Sequence, residues 1–395
     1  MRIAIVNPWY ISDKSIGGTE RFVKDLSKSL IDLGHSVDVF MFSGLSYKKE
    51  GINFISLNLF GIGVIADEYM ISNQFGKFDE EETYKQLAIK LENLIDGNKY
   101  DIIHLNSPYF LLAWQNCKRI FTHHSNYEEL KIMFSELEYE EMVKLTKEQS
   151  TNKLTKFVCP SIYYKKKWDL LSGNNTMYIP HAINPERLVI NTNKTLIYEK
   201  YGLNSKLITI LLPSRLEPIQ KRPKLFLEGC SLLPDELKKN IQVILTGIDE
   251  QYEQFVKELD DYSKDNKINT KFVKFDSINE GYHIADIVAV PSKSESFGYS
   301  ALEGLTLGVK TILSDIPTFR ELSEGNSQAT FFDGTKTDLF AKLYKILYNN
   351  DIQRKLPSKK WLNQYSIELF GKRYLEVFDN EQSTLLCTYE KYGKS

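Results

Sequence analysis

Residues 291–315 read PSKSESFGYSALEGLTLGVKTILSD and follow a short apolar run, DIVAV, at residues 286–290. The run is rich in β-branched side chains and stops at a proline, which predicts a buried strand. A polar loop comes next, after which residues 300–307 predict a helix and residues 309–313 predict another strand. This β-loop-α-β unit indicates an open parallel sheet, in which ligands bind at the loops that follow the strands.

Two glutamates mark the polar loop and the helix behind it. Glu295 lies in the loop, closely followed by Phe297 and Gly298, and Glu303 lies on the helix. Taken alone, such a pair is explained by two solvated side chains. A glycine at a helix start, however, lets backbone N–H groups approach a ligand closely. A carboxylate can also accept hydrogen bonds from two adjacent hydroxyl groups, so the alternative is a site that binds a sugar.

The pattern E-x-F-G-x-x-x-x-E, from Glu295 to Glu303, resembles the signature of retaining glycosyltransferases of family 4. The resemblance implies an α/β protein of the GT-B fold. Two Rossmann-like αβα domains then face each other across a cleft, and a C-terminal helix crosses back to the first domain. In that family the first glutamate holds hydroxyls of the donor sugar, and the second holds the ribose hydroxyls of the nucleotide. Glu295 and Glu303 match these two positions, and Phe297 and Gly298 are expected to line the donor site.

Composition narrows the class of protein. The chain has 395 residues, enough for two or three domains. Its formal net charge of −2 gives no general attraction to nucleic acid. Its 4 cysteines are far apart and form no C-x-x-C pair, so neither a zinc site nor a disulfide framework is expected. No window approaches the roughly 18–20 apolar residues that cross a bilayer. These features predict a cytoplasmic protein.

The chain begins with a second β-loop-α-β pattern. Residues 2–6 predict a strand, Gly17 and Gly18 lie in the following loop, and a helical pattern ends at Gly34. The glycine pair has two interpretations, a plain turn or a cradle of backbone N–H groups for an anion. The G-x-G-x-x-G fingerprint of dinucleotide-binding domains is absent here. Family 4 enzymes carry a similar Gly-Gly-x-Glu stretch facing the donor diphosphate, so the resemblance assigns Gly17 and Gly18 to donor binding.

Two histidines follow a predicted strand at residues 119–122. Adjacent side chains of an extended chain point to opposite sides, and no third ligand is evident, so a metal site at His123 and His124 is not expected. The family has a T-x-H stretch that places a histidine against the donor sugar. Thr122 and His124 fit this stretch, and the resemblance therefore gives His124 a catalytic role. His123 is expected to be structural.

A change in composition at residues 184–200 predicts the domain boundary. We place an acceptor-side domain at residues 1–185, a donor domain at residues 186–365, and a crossover helix with the tail at residues 366–395. Residues 361–378 show a helical pattern whose apolar face comprises Trp361, Tyr365, Leu369 and Phe370, and the resemblance to GT-B proteins implies that this final helix crosses back to the first domain.

Basic residues follow the first strand of the donor domain, predicted at residues 207–212. Arg215 and Lys221 are either two surface bases or ligands of a phosphate. They resemble the arginine and lysine with which the family grips the donor diphosphate, although their spacing is one residue longer than usual. Arg222 is therefore a possible substitute for Lys221.

These observations predict a retaining glycosyltransferase that moves a hexose-type sugar from a nucleotide-diphosphate donor to an acceptor hydroxyl. No metal or other cofactor is expected, because Arg215 and Lys221 would offset the charge of the departing diphosphate. A UDP-sugar is favoured as donor, with GDP-mannose as its competitor. The acceptor is open among a glycan, a glycolipid and a protein, in cell-surface polysaccharide, glycolipid or glycoprotein synthesis. Residues 163–168, YYKKKW, are either a solvated helix face or a contact with the inner membrane face.

Two alternative functions share this fold. A non-catalytic partner subunit should have lost some of the four polar residues at 215, 221, 295 and 303, whereas all four are present. A sugar-nucleotide epimerase would convert the donor without an acceptor, and the Glu295/Glu303 pattern argues against it. An NAD-dependent dehydrogenase would need the glycine fingerprint that is absent here.

Overall fold

The computed structural model describes residues 1–12, 17–59, 80–124, 136–173, 176–249 and 252–377. The chain divides into two compact units. The first unit comprises Met1–Ala182 with Gln364–Ser395, and the second comprises Ile183–Asn363. These divisions fall within a few residues of the boundaries placed after residues 185 and 365.

Each unit is built on one sheet of mostly parallel strands. In the described residues of the first unit the strands are β1 Arg2–Asn7, β2 Ser36–Met41, β3 Tyr47–Lys49, β4 Ile52–Ser56, β5 Ile102–Leu105, β6 Arg119–Thr122, β7 Thr155–Cys159 and β8 Met177–Tyr178. In the second unit they are β9 Ile208–Leu212, β10 Ile241–Leu245, β11 Thr270–Phe272, β12 Ile287–Val290, β13 Lys310–Ser314 and β14 Ala329–Phe332.

Helices cover these sheets. Within the described ranges, in chain order, they are α1 Gly18–Asp32, α2 Glu80–Leu94, α3 Glu136–Gln149, α4 Ile162–Ser172, α5 Pro185–Leu188, α6 Lys194–Lys200, α7 Pro223–Ser231, α8 Asp235–Lys238, α9 Glu253–Asp265, α10 Ile278–Ile284, α11 Tyr299–Thr306, α12 Pro317–Ser323, α13 Lys336–Tyr348, α14 Lys359–Gln364 and α15 Ile367–Glu376. Short 3₁₀ turns occupy Gly97–Lys99 and Pro108–Phe110.

The first sheet has the order β3-β4-β2-β1-β5-β6-β7-β8. Its neighbours pair in parallel, except that β3 and β4 form an antiparallel hairpin. Successive side chains of β1 face opposite sides: Ile3 and Ile5 belong to one core cluster, and Ala4 and Val6 to another. Because both faces are buried, the strand needs apolar side chains at every position, and a continuous apolar run results.

The second sheet is parallel throughout and has the order β11-β10-β9-β12-β13-β14. From β9 the chain moves to one side of the sheet, through β10 and β11, and it returns to the other side at β12. After β9 and after β12 the chain therefore runs towards opposite ends of the sheet, which makes this strand pair the topological switch point. In open α/β sheets this is the crevice where ligands bind.

The end of the chain corrects one prediction. The helix predicted at residues 361–378 is two helices, α14 and α15, and the predicted last residue, Phe378, lies outside the described residues. The break occurs because Ser366 caps α15, its Oγ accepting a hydrogen bond from the Leu369 N–H at 3.3 Å. Trp361 belongs to the second unit, where its indole N–H donates to the Leu322 carbonyl. Phe370 packs in the core of the first unit, which confirms the predicted return of the chain.

Close packing of α15 on α1 depends on Gly371. The Ser29 hydroxyl donates to the Ile367 carbonyl and accepts from the Gly371 N–H at 3.0 Å. A Cβ atom at position 371 would collide with Ser29 Oγ. We expect Gly371→Ala to lower the free energy of unfolding by about 1–3 kcal/mol, measured by urea denaturation. Lys372→Ala, at the exposed neighbouring position, should change it by less than about 0.5 kcal/mol. Equal effects of the two substitutions would contradict this packing.

Candidate active site

Lys221 and Glu295 meet at the switch point of the second sheet. Lys221 lies on the loop after β9 and Glu295 on the loop after β12, 74 residues further along the chain. The Lys221 Nζ donates to Glu295 Oε1 at 2.7 Å, and the side chains are 15% and 13% exposed. The two strands pair directly, which brings these loops side by side. The structure thus joins two of the predicted site residues in one partly buried ion pair.

The loop that carries Lys221 is shaped by Glu217, which the sequence patterns did not single out. Its carboxylate accepts hydrogen bonds from the backbone N–H groups of Ile219, Gln220 and Lys221, at 2.8, 2.5 and 3.2 Å. These three bonds fix a tight turn directly before the lysine. The backbone at Lys221 is consequently held before any ligand arrives.

Further bonds tie this loop to the loop after β12. The Lys293 N–H donates to the Gln220 carbonyl at 2.7 Å, and the Gln220 side chain donates to the Ser294 carbonyl at 3.2 Å. Ser292 Oγ donates to Glu295 Oε1 at 2.7 Å. Glu295 Oε1 thus accepts from both Lys221 and Ser292. No described residue donates to Oε2, so that oxygen remains available to a ligand.

Arg222 braces the loop after β12. Its φ of 50° is left-handed, and it directly precedes α7. The Nε donates to the Pro291 carbonyl at 2.8 Å, and Nη2 contacts the Ser292 carbonyl and Ser314 Oγ at 3.3 and 3.0 Å. Burial lowers the pKa of this guanidinium. In this structure Arg222 therefore positions backbone, and its use as a substitute for Lys221 stays a prediction.

Arg215 is placed differently from Lys221. Its side chain is exposed and has no hydrogen bond or ion pair with another described residue. Its backbone is packed against Gly247, whose φ is +64° and whose carbonyl accepts from the Leu216 N–H at 3.2 Å. A Cβ atom at Gly247 would collide with the backbone of Ser214 and Arg215. The guanidinium is thus free to bind a ligand from a fixed backbone.

Gly298 begins α11 in a conformation that suits glycine. Its φ is +97°, and a Cβ atom there would lie 2.7 Å from Cε1 of Phe319. Gly298 lies at the N-terminus of α11, the end at which a helix dipole favours an anion. Phe297 is 4% exposed and packs edge-on against Tyr299, so its ring belongs to the core. Glu303 lies on α11 and is 4% exposed.

Gly298→Ala should lower the free energy of unfolding more than the same change at Gly325. Both glycines have a left-handed backbone, but a Cβ atom at Gly325 would meet nothing within 4 Å. We expect Gly325→Ala to cost about 1 kcal/mol of stability from backbone strain alone, and Gly298→Ala about 2–3 kcal/mol because Phe319 must also move. Chemical denaturation of the two variants measures the difference. A cost no larger at 298 than at 325 would contradict the crowding by Phe319.

In the first unit, Gly17 and Gly18 lie at the N-terminus of α1. Gly17 is the residue before the helix, with φ −66° and ψ 157°, and Gly18 is its first residue. The Glu20 carboxylate folds back onto Gly17, where a Cβ atom would collide with it. A carboxylate thus occupies the position where the helix dipole favours negative charge. Binding of the donor diphosphate by the two glycines stays a prediction.

His124 lies at the carboxyl ends of β5 and β6. Its Nε2 is 2.8 Å from Oδ1 of Asn106, the residue that follows β5. Its ring packs edge-on against Phe22 with the centroids 4.5 Å apart. Burial lowers the pKa of His124 to about 3, so the imidazole is neutral at neutral pH. It can therefore give or accept a hydrogen bond, whereas it carries no charge to offer a phosphate.

Behind His124 a hydrogen-bonded chain connects β5, β6 and α15. His104 Nε2 is 2.9 Å from Thr122 Oγ1, which is 2.9 Å from the Tyr374 hydroxyl. His104 and Tyr374 are buried, and burial lowers the pKa of the first and raises that of the second. These groups are uncharged and support the strand end that carries His124.

Among the residues that the structure describes, no group of three or more histidine, cysteine, aspartate or glutamate side chains could hold a metal ion. In the same parts of the chain, no helix has the length and apolar character needed to span a bilayer.

Family comparisons cover most of the chain. Residues 16–187 match the family described as Glycosyltransferase Family 4, and residues 193–361 match the family described as Glycosyl transferases group 1. An uncharacterized glycosyltransferase of Methanocaldococcus jannaschii is 24% identical over 345 residues, which are 82% of each chain.

Solved structures share the fold. Sucrose-phosphate synthase from Thermosynechococcus elongatus has a TM-score of 0.73 at 17% identity, over 96% of this chain and 98% of that one. Anabaena HepE, solved in complex with UDP and glucose, has a TM-score of 0.72 at 16% identity, over 96% and 99% of the two chains. Both likenesses establish the architecture predicted from the sequence, and at these identities they establish no more.

Proposed function

Since this chain is a glycosyltransferase of group 1, belonging to family 4 and having the GT-B fold, we propose that it moves a hexose-type sugar from a nucleotide-diphosphate donor to an acceptor hydroxyl, with retention of the anomeric configuration. The observation that carries the proposal is the Lys221–Glu295 ion pair of 2.7 Å at the switch point of the second sheet. A cation suited to phosphate and a carboxylate suited to sugar hydroxyls stand side by side there.

We propose that residues of the second unit stabilise the negative charge of the leaving group. When the bond between sugar and phosphate breaks, negative charge develops on the diphosphate. Lys221, the exposed Arg215 and the N-terminus of α11 are three sources of positive potential that follow neighbouring strands. Because loop bonds hold the backbone and ammonium group of Lys221 before the donor arrives, that charge needs little reorganisation during the reaction, whereas the Arg215 guanidinium is ordered only when it meets the diphosphate. We propose that these groups take the role that a divalent metal has in other glycosyltransferases.

Glu295 is proposed to position the donor sugar. Lys221 and Ser292 both hold Oε1, which leaves Oε2 to accept hydrogen bonds from sugar hydroxyls. In the reaction the bond between C1 and the phosphate oxygen breaks while C1 bonds to the acceptor oxygen on the same face. The acceptor proton then passes to the departing phosphate. A covalent glycosyl–Glu295 adduct trapped and seen by mass spectrometry would overturn this assignment.

The donor is proposed to be a UDP-sugar, with GDP-mannose as the competitor. Anabaena HepE, which shares the fold, was solved with UDP, and this supports the choice of base only by analogy. Glu303 is proposed to hold the ribose hydroxyls. The predicted donor contacts of the first unit, Gly17, Gly18 and His124, stay predictions.

The acceptor is proposed to be a glycan, a glycolipid or a protein of cell-surface polysaccharide or glycoconjugate synthesis. We propose no membrane contact through α4. Lys165 is paired with Asp169 at 2.7 Å, and the Lys167 ammonium lies 4.6 Å from the centre of the Tyr163 ring. Intramolecular partners for two of the three lysines favour an ordinary solvated helix face.

The proposal is tested by incubating the full chain with UDP-, GDP- and ADP-sugars and a mixture of glycan and glycolipid acceptors in the presence of EDTA. We expect the sugars of one nucleotide, UDP, GDP or ADP, to release that nucleotide. The product should have the same anomeric configuration as the donor sugar, read by proton NMR. Inversion would contradict the retaining mechanism. Conversion of the donor sugar without release would indicate an epimerase, and neither release nor nucleotide binding would indicate a non-catalytic subunit.

A further inference from the structure

The loop between β9 and α7, residues 213–222, is anchored at both ends to other parts of the second unit. Near its start the Leu216 N–H donates to the Gly247 carbonyl at 3.2 Å. At its end the Arg222 guanidinium donates to two carbonyls of the loop after β12. Lys221 lies between these anchors, so the bonds of the intervening backbone decide where its ammonium group lies.

Glu217 bonds the backbone of this intervening stretch. Pro218, which follows it, has no N–H. The carboxylate accepts from the next three N–H groups, those of Ile219, Gln220 and Lys221, at 2.8, 2.5 and 3.2 Å. A helix N-cap accepts from the second and third residues after it in the same way, and aspartate, asparagine and serine are its usual types. The longer glutamate also reaches the fourth residue, which is Lys221.

The turn at Glu217 also joins its loop to the loop that carries Glu295. The Gln220 carbonyl accepts from the Lys293 N–H at 2.7 Å. A lysine side chain is flexible, so its head is held in one place only when both the backbone and the head are bonded. Glu217 bonds the backbone of Lys221, and Glu295 bonds the head at 2.7 Å.

Charge alone would disfavour a glutamate in this loop. Glu217 stands two residues after Arg215 and four before Lys221, the two proposed ligands of the diphosphate, and a carboxylate repels phosphate. The three N–H groups offset part of this charge, because hydrogen bonds to a charged acceptor are strong. A serine or asparagine cap would bring no charge, so the reach to Lys221 is what distinguishes glutamate at this position.

We propose that Glu217 is a positioning residue of the transfer reaction, which acts through Lys221 and holds its ammonium group where the departing diphosphate gains negative charge. The inference rests on the proposed function and adds to it a residue that acts without contacting the donor. It requires that the effect of Glu217 on the reaction depend on the presence of that ammonium group.

The test measures kcat of the full chain for nucleotide release from UDP-glucose, GDP-mannose and ADP-glucose, with the mixture of glycan and glycolipid acceptors. We expect Glu217→Ala to lower kcat about 10–10²-fold with the donor that the parent enzyme uses, because a displacement of about 1 Å at a reacting site costs about that much. Glu217→Gln keeps the length of the side chain and one carbonyl oxygen. It should therefore retain at least about threefold more activity than Glu217→Ala.

Lys221→Met shows whether Glu217 acts through the lysine. When added to Lys221→Met, Glu217→Ala and Glu217→Gln should each lower kcat less than about twofold, since the ammonium group that they displace is already gone. A role in general folding, or a direct contact with a ligand, would lower kcat by the same factor in both backgrounds. If Glu217→Ala does not fold, Glu217→Gln provides the same comparison.

Asn204→Ala is the matched control. Asn204 Oδ1 also accepts from a backbone N–H, that of Lys206 at 3.0 Å, but it lies in the turn before β9, at the amino end of that strand. The kcat of this variant should stay within about twofold of the parent value.

The outcomes separate this inference from the proposed function. Equal losses in the two backgrounds overturn the inference, and so does an unchanged kcat in the Glu217 variants. If the parent enzyme binds a nucleotide but releases none, the same comparison is made by calorimetry on its preference for the diphosphate over the monophosphate. Glu217→Ala should lower that preference at least about threefold in the parent enzyme and leave it unchanged in Lys221→Met, and any other result overturns the inference. If UDP, GDP and ADP all fail to bind, the proposed function itself has failed, and the inference falls with it.

Discussion

Methionine in place of Lys221 should lower kcat for sugar transfer by about 10²–10³-fold, because one preorganised donor to the departing diphosphate is lost. The substitution keeps the length and apolar stem of the side chain and removes only the charged head. That head lies 2.7 Å from Glu295 on a loop fixed by Glu217, so the lost charge is one that the fold holds in place before the donor arrives. Nucleotide release at saturating donor gives the measurement.

The same contact predicts that Lys221 and Glu295 act as a unit. Glu295→Gln should lower kcat by about 10–10²-fold, since a charge-assisted hydrogen bond to the sugar becomes a neutral one. Because each residue orients the other, the double variant should lose less than the product of the two single effects. Strictly multiplicative losses would show that the ion pair has no part in the reaction.

Lys239→Met is the control for the loss of a positive charge. Lys239 is exposed and lies just before β10, at the amino end of this strand. Lys221 and Glu295, in contrast, lie on loops that follow the carboxyl ends of their strands. The kcat of Lys239→Met should stay within about twofold of the parent value, since surface substitutions away from a site have small effects. A kcat for Lys221→Met equally close to the parent value would remove this lysine from the mechanism.

Arg119→Met should lower the free energy of unfolding by about 3–5 kcal/mol, without any direct part in catalysis. Arg119 is the first residue of β6 and is 0% exposed. Its guanidinium donates to the carbonyls of Leu111 and Ala113 at 2.8 and 2.6 Å, to Gln149 Oε1 at 2.9 Å and to Thr155 Oγ1 at 2.5 Å. Methionine fills the space but leaves four buried acceptors without their donor.

Two further substitutions separate charge from geometry at this position. Arg119→Lys keeps a cation but cannot reproduce the planar fork, so it should recover less than half of the loss. Lys118→Met, at the exposed neighbouring position, should cost less than about 0.5 kcal/mol in the same denaturation experiment. If the free energy of unfolding of Arg119→Met lies within about 1 kcal/mol of that of the parent protein, the hydrogen bonds of Arg119 contribute no net stability.

Local sequence patterns predicted most strands and helices. The predicted strands at residues 119–122, 207–212 and 309–313 coincide, to within one residue at each end, with β6, β9 and β13. These segments are buried on both faces, so their apolar runs are unambiguous. Serine is a residue type that favours helix starts, and Ser161 caps α4, its Oγ accepting a hydrogen bond from the Tyr164 N–H.

Elements that depend on distant partners were not predictable in this way. The hairpin of β3 and β4 lies outside the predicted strands, because its residues are partly exposed and its pairing is set by β2. The final helix is continuous in apolar pattern but divided at Ser366, whose side chain offers α15 a cap. A periodic pattern identifies a helical face, whereas it does not reveal a single competing hydrogen bond.

At the site, residue types were predictable and contacts were not. Glu295 and Lys221 were identifiable from their motifs, but only the order of the second sheet brings loops 74 residues apart together. Arg222 stands next to Lys221 and looks equivalent in sequence, yet its left-handed backbone turns its guanidinium to the Pro291 carbonyl. Nothing in a linear pattern distinguishes an arginine that binds phosphate from one that binds carbonyl groups.

The most direct test of the account is a calorimetric titration of UDP and UMP, with GDP and GMP in parallel, into the parent enzyme and into Lys221→Met. We predict that one diphosphate binds the parent enzyme about tenfold more tightly than its monophosphate, and that this preference falls towards one in Lys221→Met, because the lysine contacts the diphosphate rather than the base. Failure of every nucleotide to bind, or an unchanged preference in the variant, would contradict a donor diphosphate site at Lys221 and Glu295.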